Sequence, residues 1–190
     1  VFDASKLYRF RPVNPEHTCA VHAPLRLKPG PLNPPDARQQ APVCYTASMK
    51  IFVAASYSSE VDYQTGQVFD DYREYLEDTL RTIEASGHNV FCALREDNYT
   101  INKEDPAIAY RLDVNNIEDS DVLLAILDNT VSGGVQTEIG FAIALGKKVL
   151  LAHRPEDALI YFNDAMVRAG VVGELILPLV TEQLHTALAS

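Results

Sequence analysis

Apolar and polar positions alternate along residues 49–190 in two periods, one for strands and one for helices. Lys50 to Ala55 is a short apolar run that predicts a first strand. Val68 to Ser86 places Val68, Phe69, Tyr72, Tyr75, Leu76, Leu80 and Ile83 at helical spacing, and Gly87 stops that helix. Asn89 to Leu94 predicts strand two. Pro106 to Asp119 predicts a helix with proline in its first turn. Asp121 to Leu127 is apolar throughout, as a central parallel strand buried on both faces must be. Thr137 to Leu145, ended by Gly146, predicts a helix, and Lys148 to Ala152 a fourth strand. Pro155 to Ala169 predicts a helix, Glu174 to Leu177 a short strand, and Pro178 to Leu188 a last helix.

Strands that alternate with helices build a parallel sheet through right-handed crossovers. The expected fold is α/β: a three-layer α/β/α sandwich on a five-stranded parallel sheet, flavodoxin/Rossmann-like. Such sheets bind ligands beyond the carboxyl ends of their strands. The segments to examine are therefore Ala55 to Gly66, Asn98 to Asp105 and Asp128 to Glu138.

Composition divides the chain. Eight of its eleven prolines precede Met49. Residues 1–48 hold six Lys/Arg and three Asp/Glu, a charge of +3; the whole chain carries −10, so residues 49–190 carry −13. Prolines at that density forbid long helices and central strands. Residues 1–48 are thus expected to be a Pro-rich irregular leader or arm, with Leu7, Tyr8 and Phe10 able to dock on the domain at 49–190. The alternative is that translation begins at Met49.

The acidic balance argues against binding a nucleic-acid polymer, which needs Lys and Arg to displace counterions. A small anion is still admissible, because one helix N-terminus can hold a phosphate. The longest apolar run, Val122 to Leu127, is too short to cross a bilayer. Cys19, Cys44 and Cys92 form neither a disulfide framework nor a zinc motif. Cys92, in an apolar run, reads as a reduced core residue. The expected location is cytoplasmic, with no membrane, metal or cofactor.

The stretch from Ser132 to Gly140 carries the most chemistry. Gly133 and Gly134 let the backbone approach a ligand, and they lead into a helix whose first-turn amides favour an anion. The spacing puts Glu138 in that first turn. Gly140 weakens the helix and suggests close packing or close approach. The run is neither a Walker loop nor a dinucleotide fingerprint. Asp113 lies on the helix before strand three. Ser56, Tyr57, Ser58 and Ser59 follow strand one with hydroxyls that suit a sugar or a phosphate.

The ordered set Ala54-Ala55-Ser56-Tyr57, Tyr110-x-x-Asp113, Asp119-Ser120-Asp121 and Gly134-x-x-x-Glu138-x-Gly140-x-Ala142-x-x-x-Gly146-Lys147 resembles the nucleoside 2-deoxyribosyltransferase superfamily. That superfamily includes nucleoside 5′-monophosphate N-hydrolases and cytidylate N-glycosidases. The resemblance spans about residues 49–180. It implies an enzyme that cleaves the N-glycosidic bond of a nucleoside. Glu138 would be the nucleophile on the anomeric carbon, Asp113 would help protonate the departing base, and Tyr57 would line the site and orient Glu138. The sugar would then pass to another base, or to water.

Ser132 looks like the phosphate-binding serine of the monophosphate hydrolases, where transferases tend to carry aspartate. Val61-Asp62-x-x-Thr65-Gly66 also resembles the cytidylate hydrolases. Asn163 matches a transferase asparagine that reaches a neighbouring subunit's site and holds the sugar 5′-hydroxyl. Asp164 beside it departs from a phosphate-binding serine. Ser56, Ser132, Gly134, Asn163 and Asp164 are therefore the expected substrate contacts. The resemblance further implies a nucleoside or nucleotide and a free base as small-molecule partners, and a homo-oligomer with shared active sites. A nucleotide-sensing module without catalysis is the competing class.

Overall fold

The computed structural model describes residues 47–57, 59–100, 105–127 and 131–190. All of them fall in the compact unit Cys44–Ser190. The arm expected over 1–48, apart from its last two residues, lies outside the described residues, as do Ser58, Cys19 and Cys44.

The strands are β1 (Lys50–Ala54), β2 (Val61–Asp62), β3 (Gln67–Val68), β4 (Asn89–Phe91), β5 (Val122–Leu127), β6 (Lys148–His153) and β7 (Gly173–Ile176). The helices are α1 (Asp70–Ala85), α2 (Ala93–Glu96), α3 (Pro106–Asp119), α4 (Gly133–Ala144), α5 (Tyr161–Arg168) and α6 (Thr181–Ala189). Five strands form one parallel sheet in the order β4-β1-β5-β6-β7. This is the flavodoxin-like order, and its topological switch lies between β1 and β5.

Strand alternation divides the core. Ile51, Val53, Leu124 and Ile126 point to one face, where Leu76, Leu80 and Ile83 of α1 and Leu184 and Leu188 of α6 cover them. Phe52, Ala54, Leu123 and Ala125 point to the other, beneath Ile117 of α3, Val135, Ile139 and Ala142 of α4, and Met166 and Val167 of α5. Each fully buried leucine or isoleucine contributes about 1.5–3 kcal/mol.

The predicted sheet and helices are present, with corrections at their ends. β4 stops at Phe91, and the short helix α2 takes over the expected strand end. α4 starts at Gly133, four residues before the predicted Thr137, because Ser132 caps it: its hydroxyl accepts from the Val135 amide at 3.4 Å. α5 starts at Tyr161, not Pro155. The Asp157 amide closes a turn onto the Arg154 carbonyl at 3.0 Å and leaves Pro155 in a loop. α6 begins at Thr181 rather than Pro178.

The hairpin β2–β3 has no counterpart in the predicted elements, since two-residue strands leave no periodic signal. At its tip Asp62 accepts from the Gln64 amide at 2.8 Å and from the Thr65 hydroxyl at 3.1 Å. Those bonds hold the Asp62 carboxyl below its usual range, led by the one from Gln64. The Asp62 and Thr65 of the cytidylate-like motif thus shape a turn. Among the described residues no helix is long and apolar enough to cross a membrane.

Candidate active site

Beyond the carboxyl ends of β1 and β5 the chain departs toward opposite faces of the sheet. β1 leads to Ser56, Tyr57 and the hairpin; β5 leads to Ser132 and α4. This divergence opens the crevice in which open α/β sheets hold ligands.

Glu138 stands in the second turn of α4, not the first, because the helix begins at Gly133. The helix-end field fades within one turn. Burial, then the charge of Asp113, pushes this carboxyl up to about 7. Asp113, half-buried on α3, is pushed up to about 6 by burial and by the charge of Asp97. Three carboxylates therefore form an electrostatic chain, Asp97 to Asp113 to Glu138, drawn from three separate elements. Desolvation with like-charge proximity is the arrangement that stores a proton near neutral pH.

Cys92 precedes α2 in the hydrophobic core. It is buried and free, and burial, with a smaller contribution from Glu138, raises its thiol to about 11. A thiol held that high is inert, which agrees with the core reading. Tyr57 donates its hydroxyl to the Thr100 carbonyl at 3.3 Å. Ser56 is buried, its oxygen 2.7 Å from that of Ser59.

Gly134 and Gly133 are exposed in the first turn of α4. A Cβ on Gly133 or Gly140 would meet nothing within 4 Å, and one on Gly134 only the Ser132 oxygen at 3.7 Å. The close packing expected at Gly140 is therefore not made by the described chain. The glycines leave open backbone beside Ser132.

Asn163 lies on α5. It is 1% exposed, and its Oδ1 has no hydrogen-bond partner among the described residues. Its neighbours Tyr161 and Phe162 are 89% and 67% exposed. In the single chain Asn163 is thus buried on α5 while the two residues before it are exposed. Asp164 pairs with Arg168 one turn on, at 3.6 Å on the helix surface. His153 is structural: Nε2 meets Glu174 at 2.9 Å and Nδ1 the Arg154 carbonyl at 2.8 Å, joining β6 to β7. Among the described residues no three His, Cys, Asp or Glu side chains converge to hold a metal ion.

The structure thus links Glu138 and Asp113, and it brings Tyr57 to the turn that carries Asp97. Asp97 and Thr100 were missed. Asp97 directly precedes the segment flagged after strand two, but no spacing rule ties it to Asp113, 16 residues on.

The fold is an α/β sandwich, and the coupled carboxylates Asp113 and Glu138 lie on the helices that flank its central strand β5. The sequence model of the nucleoside 2-deoxyribosyltransferase family matches residues 63–174, and the chain belongs to that family of enzymes. The matched span contains Asp113, Ser132, Gly134, Glu138, Asn163 and Asp164; Ser56 and Tyr57 precede it.

Among solved structures the chain is similar to BlsM, with 21% identity and a TM-score of 0.62 over 74% of this chain and 89% of that one. It is also similar to the CMP N-glycosidase BcmB of Clostridium botulinum, with 22% identity and a TM-score of 0.50 over 74% and 98%. At these identities both show the fold. A 2-deoxyribosyltransferase from Bacillus psychrosaccharolyticus aligns at 18% identity and a TM-score of 0.48 over 67% and 99%. No curated protein sequence matches the chain.

Proposed function

We propose that residues 49–190 form a catalytic domain that cleaves the N-glycosidic bond of a 2′-deoxynucleoside and passes the deoxyribosyl group to a second base. The observation that carries this reading is the desolvated pair Glu138 and Asp113, raised to about 7 and about 6 at the switch point. Near neutral pH the pair holds one proton between two carboxyl groups. An anomeric carbon gaining positive charge favours negative charge on Glu138 and leaves the proton with Asp113.

A Glu138 oxygen then bonds to C1′ as the C1′–N bond breaks. The bonding pair leaves with the base, which takes the proton from Asp113. The product is a glycosyl ester on Glu138. A nitrogen of the second base attacks C1′ from the vacated face, gives its proton to Asp113 and frees Glu138. Two displacements retain the configuration, as in a retaining glycosidase. Tyr57 and Ser56 would line the sugar.

A second reading, hydrolysis of a nucleoside 5′-monophosphate, has its own support. The Ser132 hydroxyl and the exposed first turn at Gly133 and Gly134 offer donors to a phosphate. In either reading the homo-oligomer is a proposal, supported by the exposed aromatic side chains of Tyr161 and Phe162.

The test is chromatography of reactions with each deoxynucleoside and each 5′-monophosphate, with and without a second base, for wild type and Glu138→Ala. A new nucleoside formed only with the second base supports transfer. Free base released only from monophosphates supports hydrolysis. Turnover that survives in Glu138→Ala rejects both mechanisms, and binding without any product supports a sensor.

A further inference from the structure

Asn98 and Tyr99 both hold left-handed backbone, with φ of 51° and 56°. Asparagine tolerates this region; a bulky side chain there is an outlier that persists only where its surroundings fix it. The surroundings of Tyr99 do so. It is buried, its amide donates to the Leu94 carbonyl at 2.8 Å, and its carbonyl accepts from the Val68 amide at 2.9 Å. Its hydroxyl donates to Glu77 of α1, and the Arg73 guanidinium stands 4.9 Å over its ring. Glu77 also accepts from Arg95 Nε at 3.2 Å, and Arg95 reaches on to Glu84. These contacts bind the turn to α1 and β3. The same turn touches two candidate site residues: Asp97 acts electrostatically on Asp113, and the Thr100 carbonyl accepts from the Tyr57 hydroxyl at 3.3 Å.

We propose that Tyr99 is a positioning residue for the site: clamped to α1 through Glu77, it holds the left-handed turn that sets Asp97 against Asp113 and the Thr100 carbonyl against the Tyr57 hydroxyl. The catalytic meaning of this clamp rests on the roles proposed above for Asp113 and Tyr57; the clamp itself does not. Asp113 is faced by Asp97 from the turn after α2 and by Glu138 from α4. Tyr99 is faced by Glu77 and Arg73 from α1, and by Arg95 and Cys92 at α2.

Tyr99→Phe removes the hydroxyl and keeps the ring under Arg73. Without the bond to Glu77 the turn relaxes and Asp97 withdraws from Asp113. Carboxyl carbon NMR of the free protein should then show Asp113 titrating closer to an ordinary aspartate than in wild type. On the deoxynucleoside and monophosphate panel, kcat should fall about tenfold with KM nearly unchanged. The alkaline limb of kcat should move to lower pH.

Glu77→Ala should reproduce all three effects. Glu77→Gln keeps an oxygen for the hydroxyl and should restore the Asp113 titration. If Tyr99→Phe does not fold, the Glu77 pair gives the same readout. An unchanged Asp113 titration in both Tyr99→Phe and Glu77→Ala overturns the clamp, whatever the protein catalyses. A shifted titration beside full turnover in Glu138→Ala leaves the clamp standing and rejects the proposed reaction.

Discussion

Glu77 and Glu138 are both partly buried glutamates on helices that pack against the same sheet, yet their carboxyl groups move in opposite directions. Burial pushes Glu77 up, but the Tyr99 hydroxyl and the Arg95 guanidinium outweigh it, so Glu77 stays below its usual range. Burial pushes Glu138 up as well, and the charge of Asp113 adds to the rise, with no opposing group among the described residues. The difference lies in the partner. On α1 the fold surrounds an acid with donors and gains rigidity; on α4 it leaves an acid poised to hold or release a proton. Desolvation without compensation is what a structural glutamate avoids and a nucleophile can use.

The sharpest way to break this contrast is the same substitution at both positions. Glu138→Gln should lower turnover by at least about 10³-fold, as loss of a nucleophile does. It should also make the fold more stable at alkaline pH. The folded carboxyl of Glu138 sits above its unfolded value, so stability falls as pH rises from the ordinary glutamate range through about 7. Removing the charge should return about 1–3 kcal/mol at pH 8 and nothing at pH 4, read by urea titration. Glu77 has the opposite sign. Its contribution is present above the unfolded value and is lost as pH falls through the lower folded one. Glu77→Gln should therefore cost about 1–2 kcal/mol at pH 7 and less at pH 3. If both substitutions destabilise at pH 8, the contrast is wrong.

Asp113→Asn should have the next largest effect. Loss of a positioned acid should reduce kcat/KM about 10²-fold. The loss should be smallest for substrates whose base departs without a proton. Removing that charge should also let Glu138 titrate lower, so the Glu138 stability gain at pH 8 should shrink in the double variant. Additive stability changes would mean that the two carboxylates do not interact.

The smallest effects separate the ends of two helices. Ser132→Ala removes the cap of α4 and should cost about 1 kcal/mol. If the protein takes monophosphates, it should also raise KM for them and spare the nucleosides. Asp164→Ala removes an exposed pair with Arg168 and should change stability by less than about 0.5 kcal/mol. A larger loss of activity there would place Asp164 at the substrate.

Much of the fold was legible in the chain itself. β5 and β6 are apolar at consecutive positions because both of their faces are covered, and α1 repeats its apolar residues every three or four because one side is. Gly87 and Gly146 mark helix ends, and both adopt the positive φ that glycine takes without cost. What failed was local competition at boundaries. Pro155 reads as a helix start, yet the turn from Arg154 to Asp157 claims it. The glycines at 133 and 134 read as a loop, yet the Ser132 cap lets the helix include them.

Glu138, Asp113 and Tyr57 are named by the resemblance of the ordered motifs to the family; spacing alone assigns Asp113 and Tyr57 no role. Their sequence does not say how acidic they are. That depends on which charges the fold brings across sequence gaps of 16 and 25 residues, and on how much water it removes, and both are properties of packing. The same holds for Asn163, whose burial follows from the start of α5, and for Tyr99, whose backbone is held by a helix 22 residues earlier. The chain determines which groups are present and on which element each one rides. Only the tertiary structure decides which of them lose water without gaining a partner, because solvation and Coulomb energy depend on distance in space.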